Sequence, residues 1–183
     1  MTASSTSLTY TIDPVASSVR FAIRHFMIAW SRGEFSEVNG TVNWNEAEPT
    51  QTQVTAVINA DSITTGHAQR DEHVKSPDIL DTTKYPVINF TSSSARMGLN
   101  DNIIVEGDLT FHGVTKRVQL TVHETSSEVK DPWGNLRVGA TATGQIKRSD
   151  FGVHFNSTLE NGGLVLGDDV ELTLDLQLIR KAE

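Results

Sequence analysis

The chain has 183 residues, a length suited to one domain, and no cysteine, which excludes disulfides, zinc–thiolate sites, iron–sulfur clusters and thiol nucleophiles together. Lys plus Arg number 15 against 23 Asp plus Glu, and the formal net charge of −8 has the wrong sign for a protein that grips a phosphate backbone, so nucleic acid is not an expected partner. No run approaches about 18 consecutive apolar residues, the length a membrane-spanning helix needs.

Residues 1–7 hold no Lys or Arg and no apolar run, so they lack the pattern of a secretory leader. The expectation is a cytoplasmic protein with a flexible N-terminal segment at 1–9 and one domain over 10–180. Val19, Phe21, Ile23 and His25 alternate with Ser18, Arg20, Ala22 and Arg24, the period of a strand with one dry face. Weaker alternation follows at Val42 and Trp44 and over residues 54–60. Residues 68–75 form the one helical interval: they are polar, carry Val74 as their main apolar residue, and stop before Pro77.

Alternation resumes over 87–91 and 103–111, and sharpens at Val118, Leu120 and Val122. A short helical turn is expected over 147–151. The clearest strand is the last, where Val170, Leu172, Leu174, Leu176 and Leu178 are separated by Glu171, Thr173, Asp175 and Gln177. Gly, Asn, Asp and Pro gather at Pro49 and at 98–102, 131–135 and 161–163, which reads as hairpin punctuation. Successive half-buried strands joined in this way form an antiparallel meander, and closure into a barrel removes its edges. The fold class predicted is all-β: a single antiparallel barrel of about eight strands with one or two short helices. A barrel of that size is either filled by its own side chains or encloses one small ligand, and patterning alone leaves both open.

Six histidines, at 25, 67, 73, 112, 123 and 154, include no His-x-x-x-His pair, and no metal ligand is assigned. The Gly-x-Ser-x-Gly elbow of serine hydrolases is absent. Gly162, Gly163 and Gly167 lie between β runs and open no helix, so they do not cradle a phosphate. His123 falls on a polar strand face, His112 precedes Gly113 in a hairpin turn, and Asp168 and Asp169 read as solvated strand-end charges. With no nucleophile, base and orienter in view, no residue is assigned as catalytic. His25 ends an otherwise apolar face, where a head-group contact and a core histidine bonded to a backbone carbonyl are both open. Arg70, Asp71, Glu72 and His73 form a dense polar cluster; Asp71 and Glu72 read as a solvated helix face, Arg70 less so.

Several motifs resemble the YceI-like family from about Tyr10 to Ile179. They run from Ile12-Asp13-Pro14, Arg24-His25 and Arg32-Gly33 through Arg70-Asp71-Glu72-His73, Lys84-Tyr85-Pro86 and Gly107-Asp108-Leu109-Thr110. They continue with His112-Gly113-Val114-Thr115-Lys116, Asp131-Pro132-Trp133-Gly134, Arg148-Ser149-Asp150-Phe151-Gly152 and Gly167-Asp168. The family has a lipocalin-like barrel that binds polyisoprenoids and related long-chain amphiphiles, so the resemblance implies a tunnel for a hydrocarbon tail. Its expected wall is Val19, Phe21, Ile23, Phe35 and Ile58 from the first strands, with Val74, Leu80, Phe90, Phe111, Phe151 and Phe155 beyond. The mouth or head-group residues it implies are His25, Trp30, Arg70 and His73. Ile79 and Leu80 stand where the family often has an aromatic pair. The expected ligand, and partner, is a long-chain isoprenoid lipid of the polyprenyl phosphate or isoprenoid quinone class, held for transport, storage or sensing with no other cofactor. The alternatives are an enzyme acting on such a lipid through His25, Arg70 or His73, and a binder of a fatty acid or fatty amide. A homodimer is compatible with either.

Overall fold

A computed structural model of the protein describes residues 7–45, 47–160 and 162–181. Its strands in chain order are β1 (Leu8–Ile12), β2 (Ser18–His25), β3 (Ala29–Phe35), β4 (Val38–Trp44), β5 (Gln53–Asn59) and β6 (Ile63–Thr64), then the helix α1 (Ala68–Lys75). After it come β7 (Val87–Met97), β8 (Ile103–Phe111), β9 (Val114–Thr125), β10 (Val129–Lys130), β11 (Leu136–Lys147) and β12 (Leu166–Arg180). The predicted helix coincides with α1, and the turn expected at 147–151 is a 3-10 helix over Arg148–Phe151. Leu8 and Thr9, expected to belong to a flexible segment at 1–9, pair in β1 instead; the rest of that expectation, on residues 1–6, lies outside the described residues, as does Asn161 of the 161–163 turn.

Every ladder is antiparallel, and the sheet runs β11, β9, β8, β7, β5, β4, β1, β12 before β12 returns to β11. That closing ladder is long, from Arg137 opposite Ile179 to Lys147 opposite Asp169. The other edge of β12 is shared: β1 pairs with its end around Leu178, and β2 with the stretch from Val170 to Asp175. So β1 and β2 are one interrupted stave, as are β3 with β4 and β5 with β6, and the barrel has eight staves. The first break follows from Pro14, which has no N–H to give a ladder. There Asp13 Oδ1 accepts from Val15 N at 3.0 Å, and Ser17 Oγ takes over the ladder by accepting from Gln177 N at 2.9 Å.

The register puts the β2–β3 hairpin, the β6–β7 crossover that holds α1, the β8–β9 hairpin and the β11–β12 loop at one end of the barrel. The start of β1, the end of β12 and the β4–β5, β7–β8 and β9–β11 connections lie at the other. Asp71 pins α1 across the first end: it accepts from Thr65 N at 2.8 Å, Thr65 Oγ1 at 2.5 Å and Thr64 Oγ1 at 3.1 Å. Those bonds outweigh the cost of partial burial and hold its carboxyl below the usual carboxylate range, so Asp71 is a clamp and not the solvated charge expected. His67 caps the helix by accepting from Arg70 N at 3.4 Å.

The barrel is hollow. Protein interiors normally pack to crystal-like density. Here Phe21, Ile23, Leu172, Leu174 and Leu176 point inward yet are only half-buried, because the space in front of them is unfilled. The largest fully buried side chains are Phe151 and Val38.

Candidate functional site

Alternation along β2, β3 and β12 sends every second side chain inward, and where these faces meet the crossover and the β11–β12 loop they enclose a cavity of about 400 Å³. A second cavity of about 150 Å³ lies deeper, lined among others by Tyr10, Trp44, Phe90, Val105 and Leu176. Val19, Ile58, Leu109 and Leu172 border both, so they form the waist between them. A volume of this size with an apolar wall falls in the range of small-molecule sites, about 300–1,000 Å³.

The charged or ionisable side chains other than Tyr10 lie on the outer cavity: His25, Arg70, His73 and Arg148, with Ser31 and Thr65 beside them, whereas the wall of the inner cavity is apolar but for Tyr10, Trp44, Thr52 and Thr125. His25 closes β2 with its ring 4.0 Å from that of Phe26, and among the described residues no protein group hydrogen-bonds its imidazole. Arg70 is held on α1 by its Nε donating to Thr65 Oγ1 at 2.7 Å and its Nη2 donating to Thr65 O at 2.8 Å. His73, one turn on, has its Nε2 3.6 Å from the Asp78 carboxylate and faces Phe155 across the opening.

Arg148 is buried, and sequence reasoning missed it. Its Nε donates to Gly167 O at 2.8 Å, and its Nη1 to Val153 O at 2.9 Å and Phe155 O at 2.7 Å. Burial pushes its pKa down, opposed by the Asp168 charge nearby. The guanidinium thus staples the β11–β12 loop to the start of β12 and brings Val153, Phe155 and Val165 onto the cavity. Asp168 supports it and is not the free strand-end charge expected: it accepts from Ser149 N at 3.0 Å and Ser149 Oγ at 2.7 Å. Burial alone would raise its carboxyl, but the Ser149 bonds and the Arg148 and Lys147 charges hold it low.

Of the expected tail residues, Val19, Phe21, Ile23, Phe35, Ile58, Val74, Leu80, Phe111 and Phe155 line the outer cavity. Phe90 lines only the inner one. Phe151 reaches neither: it is 1% exposed and packs behind Phe111, ring centroids 5.6 Å apart. Of the expected mouth residues His25, Arg70 and His73 line the cavity, whereas Trp30 does not. Trp30 stands opposite Arg24 in the ladder, and the Arg24 guanidinium lies 4.3 Å from the Trp30 ring centre, on the outer face between the inward pairs His25–Ala29 and Ile23–Ser31. Its neighbour Ser31 takes the inward position. Among the described residues no three His, Asp or Glu side chains gather as metal ligands would.

The profile of the YceI-like domain matches residues 10–178. Protein YceI of Shigella flexneri is 42% identical over 135 residues, covering 74% of this chain and 70% of that protein. Among solved structures, BcnA of Burkholderia cenocepacia superposes with a TM-score of 0.75 at 22% identity, over 91% of this chain and 98% of the other. A polyisoprenoid binding domain from Saccharophagus degradans, implicated in plant cell wall breakdown, gives 0.66 at 19% identity over 95% and 99%. The two structures show the shared barrel, and the profile and sequence identity carry the family: this chain belongs to the YceI-like family.

Proposed function

We propose that the protein binds a long-chain isoprenoid lipid, of the polyprenyl phosphate or isoprenoid quinone class, with its tail in the barrel and its head group at the mouth. The observation that carries this reading is the unfilled, apolar double cavity, whose two chambers meet at a shared waist as a chain-like ligand requires. Each methylene that leaves water for such a wall gains about 0.8 kcal/mol, which makes tail burial the main source of affinity. His25, Arg70 and His73 then offer hydrogen-bond donors where a polar head would emerge. The likeness to a polyisoprenoid binding domain supports the same ligand class.

Binding for carriage, storage or sensing fits the mouth better than catalysis. An acid–base site holds its base through a third group by a hydrogen bond; among the described residues His25 is held by none, and His73 lies 3.6 Å from Asp78, beyond hydrogen-bond reach. The test is native mass spectrometry of protein purified without detergent, followed by solvent extraction. The expected result is a stoichiometric adduct that extracts as a prenyl lipid; a straight-chain fatty acid or amide as the sole extract would replace this reading.

A further inference from the structure

Three consecutive apolar residues, Phe26, Met27 and Ile28, form the tip of the β2–β3 hairpin and are 42%, 54% and 81% exposed. Phe26 and Met27 both have left-handed backbones, with φ of 52° and 61°, a region that favours glycine and is strained for bulky side chains. Strain and exposed apolar surface at the same place are not explained by the fold. The tip is part of the cavity rim: Phe26 N donates to Val165 O at 2.7 Å, and the Phe26 ring lies against that of His25, with both Val165 and His25 lining the mouth. At the far end the exposed apolar side chains Met97 and Leu99 sit on one turn and Val129 and Trp133 on another, and at the mouth end Leu164 on the β11–β12 loop is also exposed, but nowhere else among the described residues are three consecutive large apolar side chains exposed.

The hairpin itself carries only positive charge up to Gly33, with Glu34 opposite Arg20 ending the run and Glu171 of β12 opposite Ala22. Residues 14–33 contain Arg20, Arg24 and Arg32 and no Asp or Glu, in a protein of net charge −8. Arg20 pairs with Asp175, but among the described residues Arg24 and Arg32 have no salt bridge. Arg24 instead lies over Trp30, which puts a cation and an indole on the outer face just behind the tip. An apolar wedge followed by an amphipathic aromatic and free arginines is the chemistry of a bilayer interface with anionic head groups.

We infer that the β2–β3 hairpin docks the barrel mouth onto an anionic membrane surface, with Phe26, Met27 and Ile28 inserted among the acyl chains and Arg24 and Arg32 at the phosphates. The site rests on the lipid-binding reading for its purpose, since it would let a tail pass between bilayer and cavity without crossing water. Its test is separate from cargo binding: co-sedimentation of delipidated protein with vesicles of phosphatidylglycerol mixed with phosphatidylcholine, and of phosphatidylcholine alone. The wild type is expected to partition onto the anionic vesicles and less onto the neutral ones. Arg24→Gln and Arg32→Gln should each lower partitioning about fivefold, equivalent to about 1 kcal/mol per surface arginine. Ile28→Asp should abolish it, while Trp133→Asp at the far end leaves it unchanged. Met27→Gly relieves the left-handed strain, so it should raise the melting temperature and still weaken vesicle binding; this variant separates docking from loss of fold. Absence of wild-type binding to either vesicle, or binding that survives Ile28→Asp, would overturn the docking site. Retained cargo in displacement assays without vesicles would show that the cavity reading stands even then.

Discussion

The imidazole of His73, on α1, meets the ring of Phe155, on the β11–β12 loop, edge to face with centroids 5.0 Å apart and planes at 90°. Both segments border the cavity, and the two rings meet across its mouth. An aromatic pair in this geometry contributes about 1 kcal/mol. Phe155→Ala should therefore speed release of a bound lipid about fivefold while leaving the melting temperature within a few degrees. Stopped-flow transfer to acceptor vesicles measures this, and an unchanged rate would show that the contact does not restrain the mouth.

Gly33 faces Phe21 across the β2–β3 ladder, and a Cβ built there would lie 2.5 Å from Phe21 Cζ and 2.7 Å from Thr64 O. The absence of a side chain is what lets the Phe21 ring lie along the wall. Gly33→Ala should push that ring into the outer cavity at a cost of about 1–3 kcal/mol. Urea unfolding checks the stability loss and lipid displacement checks the narrowing; full retention of both would mean that the wall yields elsewhere.

At the far end, Arg137 joins two carboxylates, Nη1 at 2.5 Å from Asp13 Oδ2 and Nε at 2.7 Å from Asp131 Oδ2. The hydrogen bonds from Arg137 hold both carboxyls below the usual carboxylate range, against the opposing effect of burial. A depressed carboxylate stabilises the fold fully above its unfolded pKa, near 3.9, and that contribution fades as pH falls below about 4 toward the folded value. Asp131→Asn should lower the melting temperature near neutral pH and flatten its fall below about pH 4. Parallel melting curves with the same acid slope as wild type would contradict the assignment.

The strands were legible because their signal is strict. In β12 every inward position from Val170 to Leu178 is Val or Leu and every outward one between them is polar, so period two admits one reading. Whether the barrel was hollow was not legible, since alternation says which side chains face in and nothing about what lies before them. Trp30 was misplaced for want of a turn length: three loop residues put His25 opposite Ala29, and that parity turns Trp30 outward beside Arg24. Arg148 was missed because an arginine in a short polar turn between strands reads as a solvated charge. Only the path of the loop after it, which points the carbonyls of Val153, Phe155 and Gly167 at one place, makes that guanidinium a staple.

Arg148→Met should leave those three carbonyls without their donor, and an unsatisfied buried group costs about 1–3 kcal/mol. Destabilisation of about 3 kcal/mol or more is expected, with faster amide exchange concentrated in residues 152–166. Exchange that rises uniformly over the barrel would argue against a local staple.

The waist residue Leu172 separates tail binding in the whole barrel from binding at the mouth alone, because it borders both cavities. The direct measurement is affinity for prenyl lipids of one head group and increasing tail length, by displacement of a fluorescent lipid from wild type and from Leu172→Trp. Wild-type affinity should rise with length, at up to about 0.8 kcal/mol per buried methylene, until the inner cavity is filled. In Leu172→Trp the rise should stop at a shorter tail while short prenyl lipids bind as before. Wild-type affinity that ignores tail length would contradict a hydrocarbon chain in the barrel interior.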